Sequence, residues 1–216
     1  TADPKRPAGA DGGNGPSAAA SADHHPARDG YRSSDINRYF EQGNAMNQKI
    51  DMLYQKMVEY YSGDPKRIQH FVKVHSFAKQ IGHSERLDSD AMFVLEAAAL
   101  VHDIGIKPSE MKYGSCNGKL QEQEGPSVAK EMLFSLTFPK KCIDRICFLV
   151  GHHHTYTDID GIDYQVLVEA DYLVNLYEDQ CSQAGIKSAY QNIFRTDSGK
   201  LLCRMIYGIM KNDAEV

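Results

Sequence analysis

One dipeptide at the end of an apolar run gives the first indication of chemistry in this sequence. His102 and Asp103 directly follow the apolar residues 98–101. An imidazole or a carboxylate that is buried without a partner costs several kcal/mol, so the pair needs a compensating group. A divalent metal ion is one such group, because adjacent side chains at a helix end can both reach it. The alternative is an ordinary helix C-terminus, where the histidine favours the helix dipole and the aspartate turns towards water.

Three consecutive histidines, His152, His153 and His154, form a second candidate group. They follow an apolar helical pattern that ends at Val150. Three imidazoles at the end of a buried helix are unfavourable unless they have partners. The run therefore predicts that at least one of these side chains contacts a metal ion or a phosphate.

Asp171 places a carboxylate on a predicted core face. It lies four residues after Leu167 and three before Val174, which puts all three on one side of a helix. A carboxylate in that position is either part of a structural ion pair or a metal ligand.

His70 and His75 lie on one predicted helix, but on different sides of it. Five residues correspond to roughly 140° around a helix with 3.6 residues per turn, so the two imidazoles do not readily share a ligand. His70 lies near the edge of the apolar stripe that includes Val74 and Ala78. Taken alone, either histidine is typical of an ordinary helix face.

The spacing of apolar residues predicts that these groups are positioned by helices alone. No stretch alternates with a period of two for long enough to form a strand. We expect an all-α fold, a single helical bundle of about seven to eight helices. The predicted helices begin at Met46 and at Asp64-Pro65 and then cover residues 89–101, 126–136, 139–150, 162–177, 182–194 and 198–210.

Residues 109–125 have little apolar content and contain Gly114, Asn117 and several charged side chains. Pro108 is expected to block continuation of the preceding helix. This pattern predicts a long loop beside the candidate site, and long loops often act as lids. The alternative for its charged end is a solvated cluster.

Length and composition are those of one globular domain. The chain has 216 residues, 42% of them hydrophobic and 25% charged. The net charge of −5 gives no support for nucleic-acid binding or a membrane surface. The five cysteines form no CxxC pair, which favours free thiols and a cytoplasmic protein.

Residues 1–45 are predicted to be a disordered tail or leader, and residues 46–216 the helical domain. The first 30 residues are rich in Ala, Gly, Pro and Ser, and no large apolar side chain occurs before Tyr31. Such a segment cannot offset its ordering entropy by burial.

The order of the candidate residues resembles that of the HD-domain superfamily of metal-dependent phosphohydrolases. The resemblance covers residues from about 46 to 180. The segments that carry it are Arg67-Ile68-Gln69-His70, Leu100-Val101-His102-Asp103-Ile104-Gly105, residues 149–158, and Glu169-Ala170-Asp171.

The resemblance implies a ligand set for one or two divalent ions. A first ion would be bound by His70, His102, Asp103 and Asp171. His153, with His154, would contact a second ion or the substrate, and Asp103 would bridge the two ions. Mixed imidazole and carboxylate ligands suit Mn, Fe, Mg, Ni or Zn.

Three positions depart from the patterns of this superfamily. Residues 160–164 lack the motif of the HD-GYP group, so cyclic dinucleotides are not supported as substrates. Lys107 stands one residue later than the lysine of the usual HDIGK pattern. Gln121 occupies the place of a histidine in two-metal members. Either the adjacent Glu122 substitutes for that histidine, or the second ion binds weakly or is absent.

We therefore expect a hydrolase that cleaves a phosphate mono- or diester of a nucleotide or small metabolite with metal-activated water. No nucleic-acid or membrane partner is expected. The candidates for catalytic groups are Asp103, His153, His154 and Glu122. The candidates for neutralising substrate phosphate are Lys107, Lys112 and Lys119. Two alternatives remain open: a di-iron oxygenase on the HD fold, and a catalytically silent, metal-stabilised module that senses a nucleotide.

Overall fold

The structure is a computed structural model that describes the backbone of residues 33–209 and the side chains of residues 43–209. Within these residues the chain forms nine α-helices and no strand, which confirms the predicted all-α fold. The helices are α1 (Ser33–Tyr60), α2 (Pro65–Ser84), α3 (Ser89–Val101), α4 (Ile106–Tyr113), α5 (Gly118–Ser135), α6 (Lys140–Val150), α7 (Ile162–Glu178), α8 (Gln183–Asn192) and α9 (Asp197–Tyr207).

Helix α3 lies at the centre of the bundle. From Met92 to Val101 each of its residues is buried, and all but Glu96 are apolar. The helix packs against α1, α2, α6 and α7. A helix that is apolar on all sides must be covered on all sides, which explains its central position.

Side-chain caps fix the starts of α2 and α3 where the sequence predicts them. The Asp64 carboxylate accepts a hydrogen bond from the Arg67 backbone N–H, and Pro65 occupies the first helical position. Asp88 caps α3 in the same way, through the backbone N–H of Ala91. These caps satisfy backbone N–H groups in the first turns of the two helices that carry or precede the candidate site residues His70, His102 and Asp103.

The predicted loop over residues 109–125 is wrong. This segment contains most of α4 and the start of α5, and only residues 114–117 connect them. Pro108 lies in the first turn of α4, where a missing N–H costs no helical hydrogen bond. The Asn117 side chain accepts from the Leu120 backbone N–H and starts α5 well before the predicted position at Pro126.

Gly105 allows α4 to begin directly against the backbone of α5. A Cβ atom at this position would lie 2.4 Å from the carbonyl oxygen of Gln121 and 2.8 Å from the backbone nitrogen of Gly125. Any larger residue would therefore separate the two helices. The contact brings Gln121 next to the turn that carries His102 and Asp103.

Helix α1 extends further towards the N-terminus than predicted. It begins at Ser33, so residues 33–45, which the sequence analysis assigned to the tail, are helical. The predicted disorder of the residues before Ser33 lies outside the described part of the chain, as does Met210 at the predicted end of the last helix. Over residues 33–209 no helix is both long and apolar enough to cross a membrane.

Candidate metal centre

The turn between α3 and α4 presents His102 and Asp103 to the same side. Helix α3 ends at Val101, and the backbone N–H of Ile104 donates to the carbonyl of Val101 at 3.1 Å. The hydroxyl of Tyr61 donates to the Asp103 carbonyl at 3.1 Å and holds the turn from α1's side of the bundle. The backbone therefore leaves the helix between the two side chains and lets both point inwards.

Four predicted ligands from α2, the α3–α4 turn and α7 converge. The Nε2 atoms of His70 and His102 are 3.1 Å apart. Asp171 Oδ1 lies 3.3 Å from the first of these atoms and 3.5 Å from the second. Asp103 Oδ2 lies 3.6 and 3.7 Å from the same two nitrogens. All four residues are buried or nearly so.

The hydrogen bonds around this group leave acceptors facing acceptors. His102 donates its Nδ1–H to the Ala99 carbonyl at 2.9 Å, and His70 donates its Nδ1–H to Glu178 Oε2 at 3.0 Å. When both rings are neutral, as metal ligands must be, their Nε2 atoms turn lone pairs towards the centre. Asp171 Oδ1 is buried and has no hydrogen-bond partner among the described residues. A divalent cation fits this donor set, and a carboxylate that orients a ligating histidine is a common feature of metal sites.

His153 and His154 flank the other oxygen of Asp103. His153 Nε2 lies 3.0 Å from Asp103 Oδ1, and His154 Nε2 lies 3.7 Å from it. His153 is fully buried and donates its Nδ1–H to the Val150 carbonyl at 2.9 Å. Asp103 thus connects two groups of potential ligands, one with His70 and His102 and one with His153 and His154.

The electrostatics of the cluster keep its carboxylates charged. Burial raises the pKa of Asp103, but the neighbouring imidazoles of His102 and His153 outweigh it and hold the pKa well below the usual range. The pKa of Asp171 is also lowered, because the nearby imidazoles of His102 and His70 outweigh its burial. Two ionised carboxylates in one buried cluster need positive charge nearby.

Two further groups hold the loop that follows α6. Glu122 Oε1 accepts from the backbone N–H of His154 and from the Thr155 hydroxyl, each at 3.0 Å. The Tyr164 hydroxyl donates to the carbonyls of His152 and Thr155. Glu122, predicted as an acid–base group, is thus placed as a support for the histidine run.

His152 points away from the cluster. Its ring stacks on Phe148 with centroids 4.2 Å apart, and its Nδ1–H donates to the Phe148 carbonyl at 2.7 Å. The two other members of the run, His153 and His154, face Asp103. The predicted contact of the run with a metal ion or a phosphate stays a prediction.

An open cleft of about 300 Å³ leads to the cluster. Its lining includes His70 and Asp103 together with two cationic side chains, Lys66 and Arg67. Arg67 extends between Asp64 and Glu110, with N–O distances of 2.7 and 2.6 Å.

The three lysines predicted to bind phosphate are not among the described residues that line this cleft. Lys107 donates to the Tyr60 carbonyl at 2.9 Å, and Lys112 pairs with Glu124. Lys119 is exposed at the start of α5. The predicted loop would have carried Lys112 and Lys119 over the site, whereas helices α4 and α5 direct them elsewhere.

Glu178 is a site residue that the sequence reasoning missed. It lies seven residues after Asp171, close to two helical turns, and therefore on the same face of α7. It accepts from His70 and also pairs with Lys73. The spacing to Asp171 is the signal that could have identified it.

Comparison with known families decides the classification. The sequence model of the HD domain matches residues 67–183, more than half of the chain. The chain belongs to the HD domain family. The matched segment contains His70, His102, Asp103 and Asp171.

A solved structure supports the fold assignment of this HD domain. The chain is similar to a crystal structure described as a predicted HD superfamily hydrolase from an uncultured Thermotogales bacterium, with 20% sequence identity and a TM-score of 0.55. The similarity covers 73% of this chain and 84% of that one. A comparison with curated proteins found no match to the chain.

Proposed function

We propose that this HD domain is a metal-dependent phosphohydrolase that cleaves a phosphate mono- or diester of a nucleotide or small metabolite. The observation that carries the proposal is the convergence of four groups, His70, His102, Asp103 and Asp171, of which Asp171 has an unpartnered buried oxygen. Membership of the HD family and the hydrolase description of the structural neighbour support hydrolysis.

The ion would be held by His70, His102, Asp103 and Asp171. Two imidazoles and two carboxylates suit Mn, Fe, Mg, Ni or Zn. Such an ion, when bound, lowers the pKa of water and polarises a phosphoryl oxygen.

Asp103 is suited to orient the attacking water. Its carboxylate lines the cleft and remains ionised, so it can accept a hydrogen bond from a water molecule there. Glu178 acts on the opposite side of the centre, because its bond to Nδ1 of His70 orients that ring so that Nε2 faces the centre. Both carboxylates thus prepare the site before substrate enters.

Lys66 and Arg67 are the proposed contacts for substrate phosphate. Both line the cleft, and an arginine guanidinium binds phosphate oxygens with two parallel hydrogen bonds. A cleft of about 300 Å³ lies at the lower end of the range for small-molecule sites, which favours a small substrate.

A metal-reconstitution assay tests the proposed function. Metal-free protein would be supplied in turn with Mn²⁺, Mg²⁺, Fe²⁺, Ni²⁺ and Zn²⁺. Product release would be measured as inorganic phosphate from nucleotides and sugar phosphates and as the new monoester from phosphodiesters. We expect release with at least one ion, and its loss in Asp171→Asn. His75→Gln is the matched control, because His75 faces Glu96 instead of the cluster.

Two results would contradict the proposal. Oxygen consumption with iron and no phosphate release would favour the di-iron oxygenase. Nucleotide binding without turnover under any metal condition would favour the sensing module.

A further inference from the structure

Glu96 is the one charged residue in the buried stretch of α3 from Met92 to Val101. His75 Nε2 and Lys79 Nζ both donate to the same carboxylate oxygen, Oε2, at 2.9 and 3.0 Å. No group of the described residues donates to the other oxygen, Oε1. Glu96 is only 7% exposed, and a buried acceptor without a partner is unfavourable. Oε1 is therefore available to a donor from outside the chain.

Glu96 lines a groove of about 470 Å³ between α1, α2 and the start of α3. Lys79 and His83 of α2 belong to the same lining. Apolar side chains make up much of the remaining wall: Met46, Ile50, Leu87, Met92 and Phe93. A mainly apolar wall with a few polar groups is typical of small-molecule sites, and the volume lies in their usual range.

The groove is separate from the candidate metal centre. None of the described residues lines both the groove and the cleft that leads to the metal ligands. Glu96 precedes His102 by six residues, roughly 9 Å along a helix axis, and Lys79 follows His70 by nine residues, roughly 13 Å. A molecule in the groove would contact α2 and α3 away from their metal ligands.

Glu96 and Lys79 present opposite charges side by side in the groove. The Lys79 ammonium has three N–H donors and uses one of them on Glu96, and its side chain is 48% exposed. The wall therefore offers a free carboxylate oxygen next to a cation with unused donors. A molecule that carries an ammonium beside a carboxylate is complementary to this pair, because each of its charges meets the opposite one.

We propose that this groove binds a free α-amino acid with an apolar side chain. The ammonium of the amino acid donates to Glu96 Oε1, and its carboxylate accepts from Lys79. Its side chain packs against Met46, Met92 and Phe93, and methionines adapt readily to ligands of different shape. An amine without the carboxylate leaves Lys79 without a new acceptor, and an acid without the ammonium is repelled by Glu96. The groove therefore favours the zwitterion over either single charge.

Calorimetric titration of the full chain tests this proposal without a phosphorylated substrate. The probes would be L-leucine, L-methionine and L-phenylalanine, each with two analogues: the amine that lacks the carboxylate and the acid that lacks the amino group. We expect at least one amino acid to bind at one site per chain. Both of its analogues should bind more weakly by about tenfold or more, because each loses a hydrogen bond between charged groups.

Lys79→Met should weaken binding of the amino acid by about tenfold or more, because it removes the cation and keeps a side chain of similar length. Gln80→Met is the matched control and should bind as wild type does. Gln80 is the next residue of α2, but it bonds the Ser84 hydroxyl and does not line the groove. If Lys79→Met does not fold, Leu87→Trp narrows the groove, leaves the Glu96 pair intact and should also weaken binding.

Three results would overturn the proposal. The first is that none of the three amino acids binds to wild type at millimolar concentration. The second is that an amine or an acid binds as tightly as its amino acid, since the groove would then suit a chain N-terminus or a fatty acid instead. The third is wild-type affinity in folded Lys79→Met or Leu87→Trp, which would place the bound amino acid elsewhere.

Discussion

Asp103 connects the two halves of the candidate metal centre, because each of its carboxylate oxygens faces a different pair of histidines. Oδ2 faces His70 and His102, and Oδ1 faces His153 and His154. Removal of its charge should therefore affect both halves together, which no other side chain of the cluster is placed to do.

Asp103→Asn should lose bound metal and phosphohydrolase activity. The amide has nearly the same shape but lacks the charge, and one of its two terminal groups becomes a donor that faces an imidazole nitrogen. We expect a loss larger than the roughly 10–100-fold typical of a residue that only orients a ligand. Metal content and phosphate release measure these two losses. Normal values for both in the folded variant would refute the role of Asp103 in connecting the two groups of histidines.

Glu178→Gln should weaken metal binding without abolishing it. Glutamine can still accept from Nδ1 of His70, but it no longer supplies the negative charge that strengthens the ring as a ligand. A decrease of about 10–100-fold in Mn²⁺ affinity is expected. Lys73→Met is the control, since it removes the pairing partner of Glu178 and leaves the bond to His70; an equal effect of both changes would contradict the orienting role.

The sequence was sufficient to predict the four residues of the first group but not their supporting contacts. His102, Asp103 and Asp171 are recognisable because polar side chains interrupt or end apolar helical faces, whereas only the resemblance to the HD superfamily adds His70 to them. Glu178 and Gln121 lie at positions where polar residues are unremarkable, so only the fold shows their contacts with His70 and His154. The cationic residues at the cleft, Lys66 and Arg67, lie in the first turn of α2, but only the fold shows that they line the cleft.

At the scale of secondary-structure elements, α2 and α3 are joined by a buried charged group away from the metal centre. Glu96 Oε2 accepts from His75 Nε2 at 2.9 Å and from Lys79 Nζ at 3.0 Å. Burial raises the pKa of Glu96, but these hydrogen bonds outweigh it and lower the pKa below its usual value.

Glu96→Gln should destabilise the protein in a pH-dependent manner. Because the pKa of Glu96 is lowered on folding, the ionised group stabilises the fold above its unfolded pKa, and this stabilisation disappears as the pH falls through the folded pKa. We expect a loss of about 2 kcal/mol near pH 7, measured by denaturant unfolding, that shrinks in acid. Metal binding should be unchanged, and a loss independent of pH would contradict this explanation.

Glu59→Gln provides the control for that experiment. Glu59 pairs with Lys56 on the surface of α1, where both side chains are largely exposed. Exposed pairs of this kind contribute little to stability, so the unfolding curve should not change measurably. A similar loss in both variants would point to a general effect of net charge.

Arg145 fixes the end of the loop that carries the histidine run. Its guanidinium contacts Asp160 and Asp163 at distances of 2.7 to 2.8 Å and lies over the ring of Phe148. Arg145→Met should therefore increase hydrogen exchange of backbone amides in residues 151–161. Lys140→Met breaks an exposed pair with Asp144 and should leave the hydrogen exchange of these residues unchanged. Equal exchange in both variants would contradict the role of Arg145.

Helix prediction succeeded where the apolar spacing was regular and failed in residues 109–125. Helices α2, α3, α6 and α7 bury continuous apolar faces, so their period is visible in the sequence. Helix α4 buries only Ser109, and the first turns of α5 bury Gln121 and Glu124. Polar residues that pack against other polar residues produce no hydrophobic periodicity in the sequence. The start of α5 does carry a recognisable capping residue, Asn117.

At the scale of the whole molecule, the metal centre joins elements that are distant along the chain. Its first group of ligands comes from α2, the α3–α4 turn and α7, which pack together around the same core. An ion bound to all of them stabilises the folded chain, because the unfolded chain has no preformed site.

Addition of metal should raise the melting temperature of the metal-free protein. At a free concentration of 100 times the dissociation constant, an ion adds about 2.7 kcal/mol, which corresponds to a shift of roughly 5–10 °C for a protein of this size. Differential scanning fluorimetry with and without Mn²⁺ measures the shift. Asp171→Asn should show only a small rise in melting temperature when metal is added. A rise equal to that of wild type would mean that the ion binds elsewhere.

The metal content of three proteins tests the central claim most directly. Wild type, Asp171→Asn and His75→Gln would be purified without chelators and analysed by inductively coupled plasma mass spectrometry. Wild type and His75→Gln should each retain at least one divalent ion per chain, whereas Asp171→Asn should lose it. Full metal in folded Asp171→Asn, or loss of metal in His75→Gln alone, would contradict the metal centre described here.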